Sequence, residues 1–115
     1  MPQITWILVN CNSEKEAKRI GNEILKKRLI SCFEIIPRPY AAYFWPPKSG
    51  KIEEAKGATL ISETLIENSD IIDKIIRKLH SDKLPFIGLI KVGVYQDYFN
   101  WLKDEIKVER RKFKI

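Results

Sequence analysis

The sequence predicts an α+β sandwich of βαββαβ order with an additional C-terminal helix. Two segments with helical apolar spacing, near residues 17–25 and 71–79, each lie between β-rich runs. Between them a long β-rich stretch folds back on itself at "PPKSG", so the two middle strands form a hairpin. The 115 residues suffice for one domain, assigned to 1–106, with 107–115 as a tail. A composition of 44% hydrophobic and 31% charged residues excludes a disordered chain.

Each element has a local reason. "QITWILVN" (3–10) is β-branched and aromatic, too short and too poor in helix formers for a helix. Ser13 and Glu16 have the spacing of a capping box, in which each side chain takes the other's free backbone N–H. Ala17, Ile20, Gly21, Ile24 and Leu25 then form one apolar helix face, and the helix is expected to end near Arg28. The run 30–45 is rich in β-formers, but Pro37 and Pro39 lack the N–H of a ladder and suit an edge or a bulge. After the turn, 51–65 alternates in its second half, with Leu60 and Ser62 on one side and Ile61 on the other. Asn68 or Ser69 is expected to cap a second helix faced by Ile71, Ile72, Ile75, Ile76 and Leu79, which "DKLP" ends. "FIGLIKVGV" (86–94) is almost wholly apolar and reads as a central strand covered on both faces. In the last helix, Tyr98, Trp101, Leu102 and Glu105 share a face. The order is that of the ferredoxin-like split βαβ pattern.

Charge and cysteine usage narrow the function. Of the net +6, the tail "KVERRKFKI" carries +4, with five basic residues and one acidic; a solvated terminus is a better account of it than a nucleic-acid arm. An RNA-binding sheet stacks bases on aromatics of its central strands, and "EEAKGATLISETL" has none, so nucleic acid is not an expected partner. No apolar run reaches the roughly 20 residues of a membrane helix, and no basic region precedes the first apolar run, which reads as a cytoplasmic protein. Cys11 and Cys32 have no spacing of a disulfide framework or a closed zinc site. "KSGK" lacks the companion glycine and following helix of a phosphate loop.

Four motifs in order carry a resemblance: "KRLISCFEIIP", "YFW…GKIEE", "KLH" followed by "LP", and "DYFNWL". Together they resemble the CutA divalent-cation-tolerance family over nearly the whole chain. Three departures stand out: "PPKS" lengthens the hairpin tip, Ser81 and Asp82 follow His80 where proline and an aromatic are usual, and "SCFE" replaces alanine, cysteine, valine, asparagine. The resemblance implies a homotrimer assembled through the β2–β3 hairpin. That accords with an aromatic cluster, Tyr40, Tyr43, Phe44 and Trp45, on a hairpin whose edge would otherwise stand open; the alternative is that these rings fold back on their own sheet.

The resemblance also implies that Cys11 and His80 bind copper or another divalent metal, weakly and without being required for folding. Thiolate and imidazole suit such ions, but two ligands are too few for a closed site. Asp82, Glu63, a neighbouring subunit or water are the candidates to complete it. The plainer readings are a buried strand-end cysteine for Cys11 and a helix-terminal histidine interacting with carbonyls for His80. Cys32 is expected in the core. A Cys11–His80 nucleophile pair has only Asp82 to orient it, so the chain is not expected to be an enzyme. A trimeric signalling protein of the PII type, holding a small anion or nucleotide between subunits near Lys51, Lys91 or Arg38, is the alternative function.

Overall fold

The computed structural model describes residues 1–108; of the basic tail expected over 107–115, the part from 109 onward lies outside the described residues. The elements are β1 (Gln3–Cys11), α1 (Glu14–Lys26), β2 (Cys32–Phe44), β3 (Ile52–Thr64), a 3-10 turn (Ile66–Asn68), α2 (Ser69–Leu79), β4 (Ile87–Gly93) and α3 (Gln96–Glu105). The four strands form one sheet in the order β2-β3-β1-β4, every neighbouring pair antiparallel, as the split βαβ pattern requires. Strands of 13 residues span about 43 Å at ~3.3 Å per residue, so the β2–β3 hairpin sets the 45 Å length of the molecule.

Alternation decides what each face meets. Ile7, Val9 and Cys11 of β1 and Ala58 and Leu60 of β3 pack with Ile20 and Ile24 of α1 and Ile72 and Ile76 of α2, and none of these exceeds 1% exposure. Two glycines are required by close approach, Gly21 at this face and Gly57 in β3. A Cβ on Gly21 would stand 2.6 Å from the Phe33 ring, and one on Gly57 would stand 2.4 Å from the Cys11 carbonyl oxygen. The other face is covered only at one end, where Leu102 and Ile106 pack on Ile4 and Leu65.

Four expectations are corrected. β4 lies at the sheet edge, not its centre, and Leu89 and Ile90 are about half exposed; an apolar run signals a surface to be covered, without saying that its own chain covers it. Asn68 does not cap α2. Buried, its amide donates to the carbonyls of Leu29 and Lys107 and to the Thr64 hydroxyl, tying three chain segments at one corner. In α3 the buried side is Phe99 and Leu102, while Tyr98 and Trp101 are substantially exposed and Glu105 pairs with Arg28. Cys32 is half-buried on the bare face rather than in the core. The prolines behave as expected: β2 is an edge, and its register shifts between Arg38 and Ala41. The hairpin rings do not fold back, since Phe44 remains 73% exposed.

Candidate metal centre

The end of β1, the start of α1 and the loop after α2 converge. Ser13 Oγ accepts the Glu16 N–H at 3.0 Å, half of the expected capping box. The reciprocal bond is not to Ser13. Glu16 Oε1 accepts the Asn12 N–H at 2.9 Å and Oε2 accepts the Ser81 N–H at 3.0 Å, so the carboxylate joins α1 to the loop following α2. Arg19 strengthens the same junction by donating to the Leu79 carbonyl at 2.7 Å, at the C-terminal end of α2.

His80 is the residue at which α2 ends. Its backbone N–H closes the helix on the Ile76 carbonyl, and its extended backbone carries the ring toward β1. The Asp82 N–H donates to Nδ1 at 2.9 Å, so Nδ1 is an acceptor and the proton of the neutral ring sits on Nε2, facing the Asn10 carbonyl oxygen at 2.7 Å. Glu16 Oε1 lies 3.8 Å from Nε2. Beside them the Cys11 thiol is buried and directed at the Val9 carbonyl.

Cys11 Sγ, a Glu16 carboxylate oxygen and a His80 ring nitrogen thus lie within 4.8 Å of one another. Of the residues expected here, Cys11 and His80 are brought together. Asp82 stands at the rim: its carboxylate accepts from Asn12 Nδ2, and its contribution to His80 is a backbone N–H. Glu63 is elsewhere, on the bare face of the sheet with Cys32 and Tyr98. Glu16 is the member that sequence reading missed. Its spacing from Ser13 was the signal, and it was absorbed by the capping interpretation.

The electrostatics make the pocket a guarded one. Burial, reinforced by the nearby Glu16 carboxylate, pushes the Cys11 thiol up to about 12 from an ordinary 9.0, so it is a thiol at neutral pH. Burial also pushes the Glu16 carboxyl up, but hydrogen bonds from Ser81 and Asn12 outweigh it and hold the group below its ordinary value. The pocket therefore contains one carboxylate acceptor and two groups, thiol and Nε2–H, that must give up a proton before binding a cation. Thiolate, carboxylate and imidazole together fit a borderline divalent ion such as copper(II) or zinc.

A four-stranded antiparallel sheet with two helices on one face and a thiol–carboxylate–imidazole pocket at the β1 end defines a small ferredoxin-like protein with a metal-ligand constellation. The chain belongs to the family described as CutA1 divalent ion tolerance protein, which matches residues 5–105. It is 34% identical over 95 residues to the divalent-cation tolerance protein CutA of Thermotoga maritima, covering 82% of this chain and 90% of that one. Among solved structures it resembles the periplasmic divalent cation tolerance protein CutA of Archaeoglobus fulgidus, with TM-score 0.84, 26% identity, and 90% and 99% of the two chains covered. CutA1 of Pyrococcus horikoshii is similar at TM-score 0.82 and 30% identity, covering 90% of this chain and 98% of that one. These matches do not favour the PII-like alternative. Among the described residues no helix is long and apolar enough to cross a membrane.

Proposed function

We propose that this chain acts in divalent-cation tolerance, taking up a divalent metal weakly through Cys11, Glu16 and His80. The observation that carries this reading is the convergence of the three ligand atoms within 4.8 Å, on a chain whose relatives are named for divalent-cation tolerance. Asp82 would orient His80 rather than ligate. Binding is weak because the metal must displace the Cys11 proton and the Nε2 proton, and with it the bond to Asn10, so uptake strengthens as pH rises. The same protonated thiol makes Cys11 a poor nucleophile, in keeping with a binding protein rather than an enzyme.

The working unit we propose is a homotrimer assembled through the β2–β3 hairpin. In support, Tyr40, Phe44 and Ile52 on the hairpin, Phe86 just before β4, and Leu89 and Ile90 within it are all about half exposed or more, a surface large enough to need covering. Native mass spectrometry of the protein titrated with copper(II) and with zinc, beside Cys11→Ser and Glu16→Gln, tests both parts. The expected result is a trimer that loads metal, with loading reduced in each variant. Equal loading in Cys11→Ser, or a monomeric mass, would overturn the corresponding part.

A further inference from the structure

Glu16 and His80 are held in part by a segment that belongs to no helix or strand. Residues 80–86, between α2 and β4, are loop, yet two backbone N–H groups of this loop fix the two ligands other than the thiol. The Ser81 N–H donates to Glu16 Oε2 at 3.0 Å, and the Asp82 N–H donates to His80 Nδ1 at 2.9 Å. The Ser81 side chain also bonds the Glu16 carboxylate and helps to hold it below its ordinary value. Fixing loop backbone costs conformational entropy, so donors placed this way need an anchor of their own.

Beyond Glu16 itself, the side chain that anchors them is Asn12, which stands between Cys11 and the cap of α1. Both hydrogens of its Nδ2 are directed at the loop, one to the Ser81 hydroxyl oxygen at 2.8 Å and one to the Asp82 carboxylate at 2.9 Å. Its backbone N–H donates to Glu16 Oε1 at 2.9 Å. Arg19 fastens α2 at the Leu79 carbonyl, before the loop begins, and among the described residues no hydrogen bond holds Lys83, Leu84 or Pro85. The next tie along the chain is at Phe86, whose carbonyl accepts the Asn10 N–H.

Each ligand is thus gripped from two sides. Glu16 has Asn12 on the β1 side and Ser81 on the loop side; His80 has the Asn10 carbonyl at Nε2 and the Asp82 N–H at Nδ1. The residue type at position 12 follows from this arrangement. The Ser81 hydroxyl gives its hydrogen to Glu16 and the Asp82 carboxylate only accepts, so both call for a donor, which a short amide supplies twice. All of these contacts lie within one chain, so none of them depends on how copies associate.

We propose that Asn12 is a positioning residue of the Cys11–Glu16–His80 site, acting through Ser81 and Asp82 to set the orientation of the Glu16 carboxylate and the His80 ring. What the two groups are positioned for rests on the metal-binding function proposed above. Groups that orient a metal's ligands change its affinity by about tenfold to a hundredfold when removed.

Asn12→Ala isolates the side chain, because the Asn12 N–H to Glu16 remains. His80 is the only histidine in the chain, so proton–nitrogen correlation NMR reads its ring without ambiguity. At about pH 8, where an imidazole is ordinarily neutral, Asn12→Ala is expected to shift the Nδ1 resonance more than that of Nε2, which keeps the Asn10 carbonyl, and to speed exchange of the Ser81 and Asp82 amide hydrogens. Zinc or copper(II), whichever the parent takes up, should bind about tenfold more weakly by calorimetry. A chain with Ser81→Ala and Asp82→Ala should change in the same direction, and adding Asn12→Ala to it should change nothing further. If Asn12→Ala does not fold, that second chain carries the test. Ring resonances and amide exchange left as in the parent would overturn the positioning role, whether or not metal binds. So would a full further loss of affinity on the Ser81→Ala, Asp82→Ala background, which would mean that Asn12 acts directly. A parent that takes up neither metal would overturn the function proposed above, and the ring resonances would then decide the role of Asn12 by themselves.

Discussion

On the helix-covered face of the sheet, Ile7, Val9, Leu60, Ile72 and Ile76 are at most 1% exposed; on the opposite face and its edges, Ile36 and Ile90 remain 49% and 48% exposed. The two free thiols divide in the same way, Cys11 buried against α1 and Cys32 half-buried beneath Tyr98. One chain completes the first face by itself. It leaves the second unfinished, and the proposed assembly surface lies there or along its edges. Packing terms should therefore dominate on one side and association terms on the other.

The largest expected effect tests the covered face. Leu60→Ala should cost about 3 kcal/mol in denaturant unfolding, while Ile36→Ala on the bare face should stay within about 0.5 kcal/mol of the parent at a concentration where both are monomeric. Equal costs would break the comparison. Gly57→Ala comes next, at about 2 kcal/mol, because the added methyl meets the β1 backbone rather than a side chain that can turn away; a melting temperature unchanged by this substitution would mean that β1 shifts freely.

Proton linkage gives a smaller, signed effect. Cys11 and Cys32 are raised from 9.0 to about 12 and about 11, so their contribution to stability is complete below pH 9 and is lost as pH climbs toward 11 and 12. Glu16 has the opposite sign: lowered from 4.5, it stabilises above that pH and its contribution fades as pH falls below it. Unfolding free energy measured across pH should decline at both ends, and Glu16→Gln should flatten the acid limb and, because its carboxylate helps raise Cys11, soften the alkaline limb by a smaller amount. The smallest effect on the chain itself is expected for Leu89→Ser, within about 0.5 kcal/mol when monomeric, though it should lower the oligomeric mass seen by light scattering.

How much of this was legible in the sequence follows from the range of each interaction. Helices and strands were readable because apolar spacing is local: α1, α2 and the hairpin lie where periodicity and "PPKSG" place them. The first half of the capping box was readable for the same reason. Its second half was not, because the Ser81 N–H that competes for Glu16 is 65 residues away. Asn68 has the composition of a cap, yet a buried corner with two carbonyls and a hydroxyl to satisfy claimed it. Motif resemblance located Cys11 and His80, while the pairing of Glu63 with Tyr98 and Trp6 depends on strand register and on where α3 lands, which no spacing in the sequence encodes.

The break in β2 sets a limit on growth. Pro37 and Pro39 carry no N–H, and the register slips between Arg38 and Ala41, so the β2 rim of the sheet is divided into two short rows of backbone partners, Cys32 to Ile36 and Ala41 to Phe44. A strand of another chain laid along this rim can pair with one short row at a time, whereas the same hairpin with an uninterrupted rim would offer a template along its whole length.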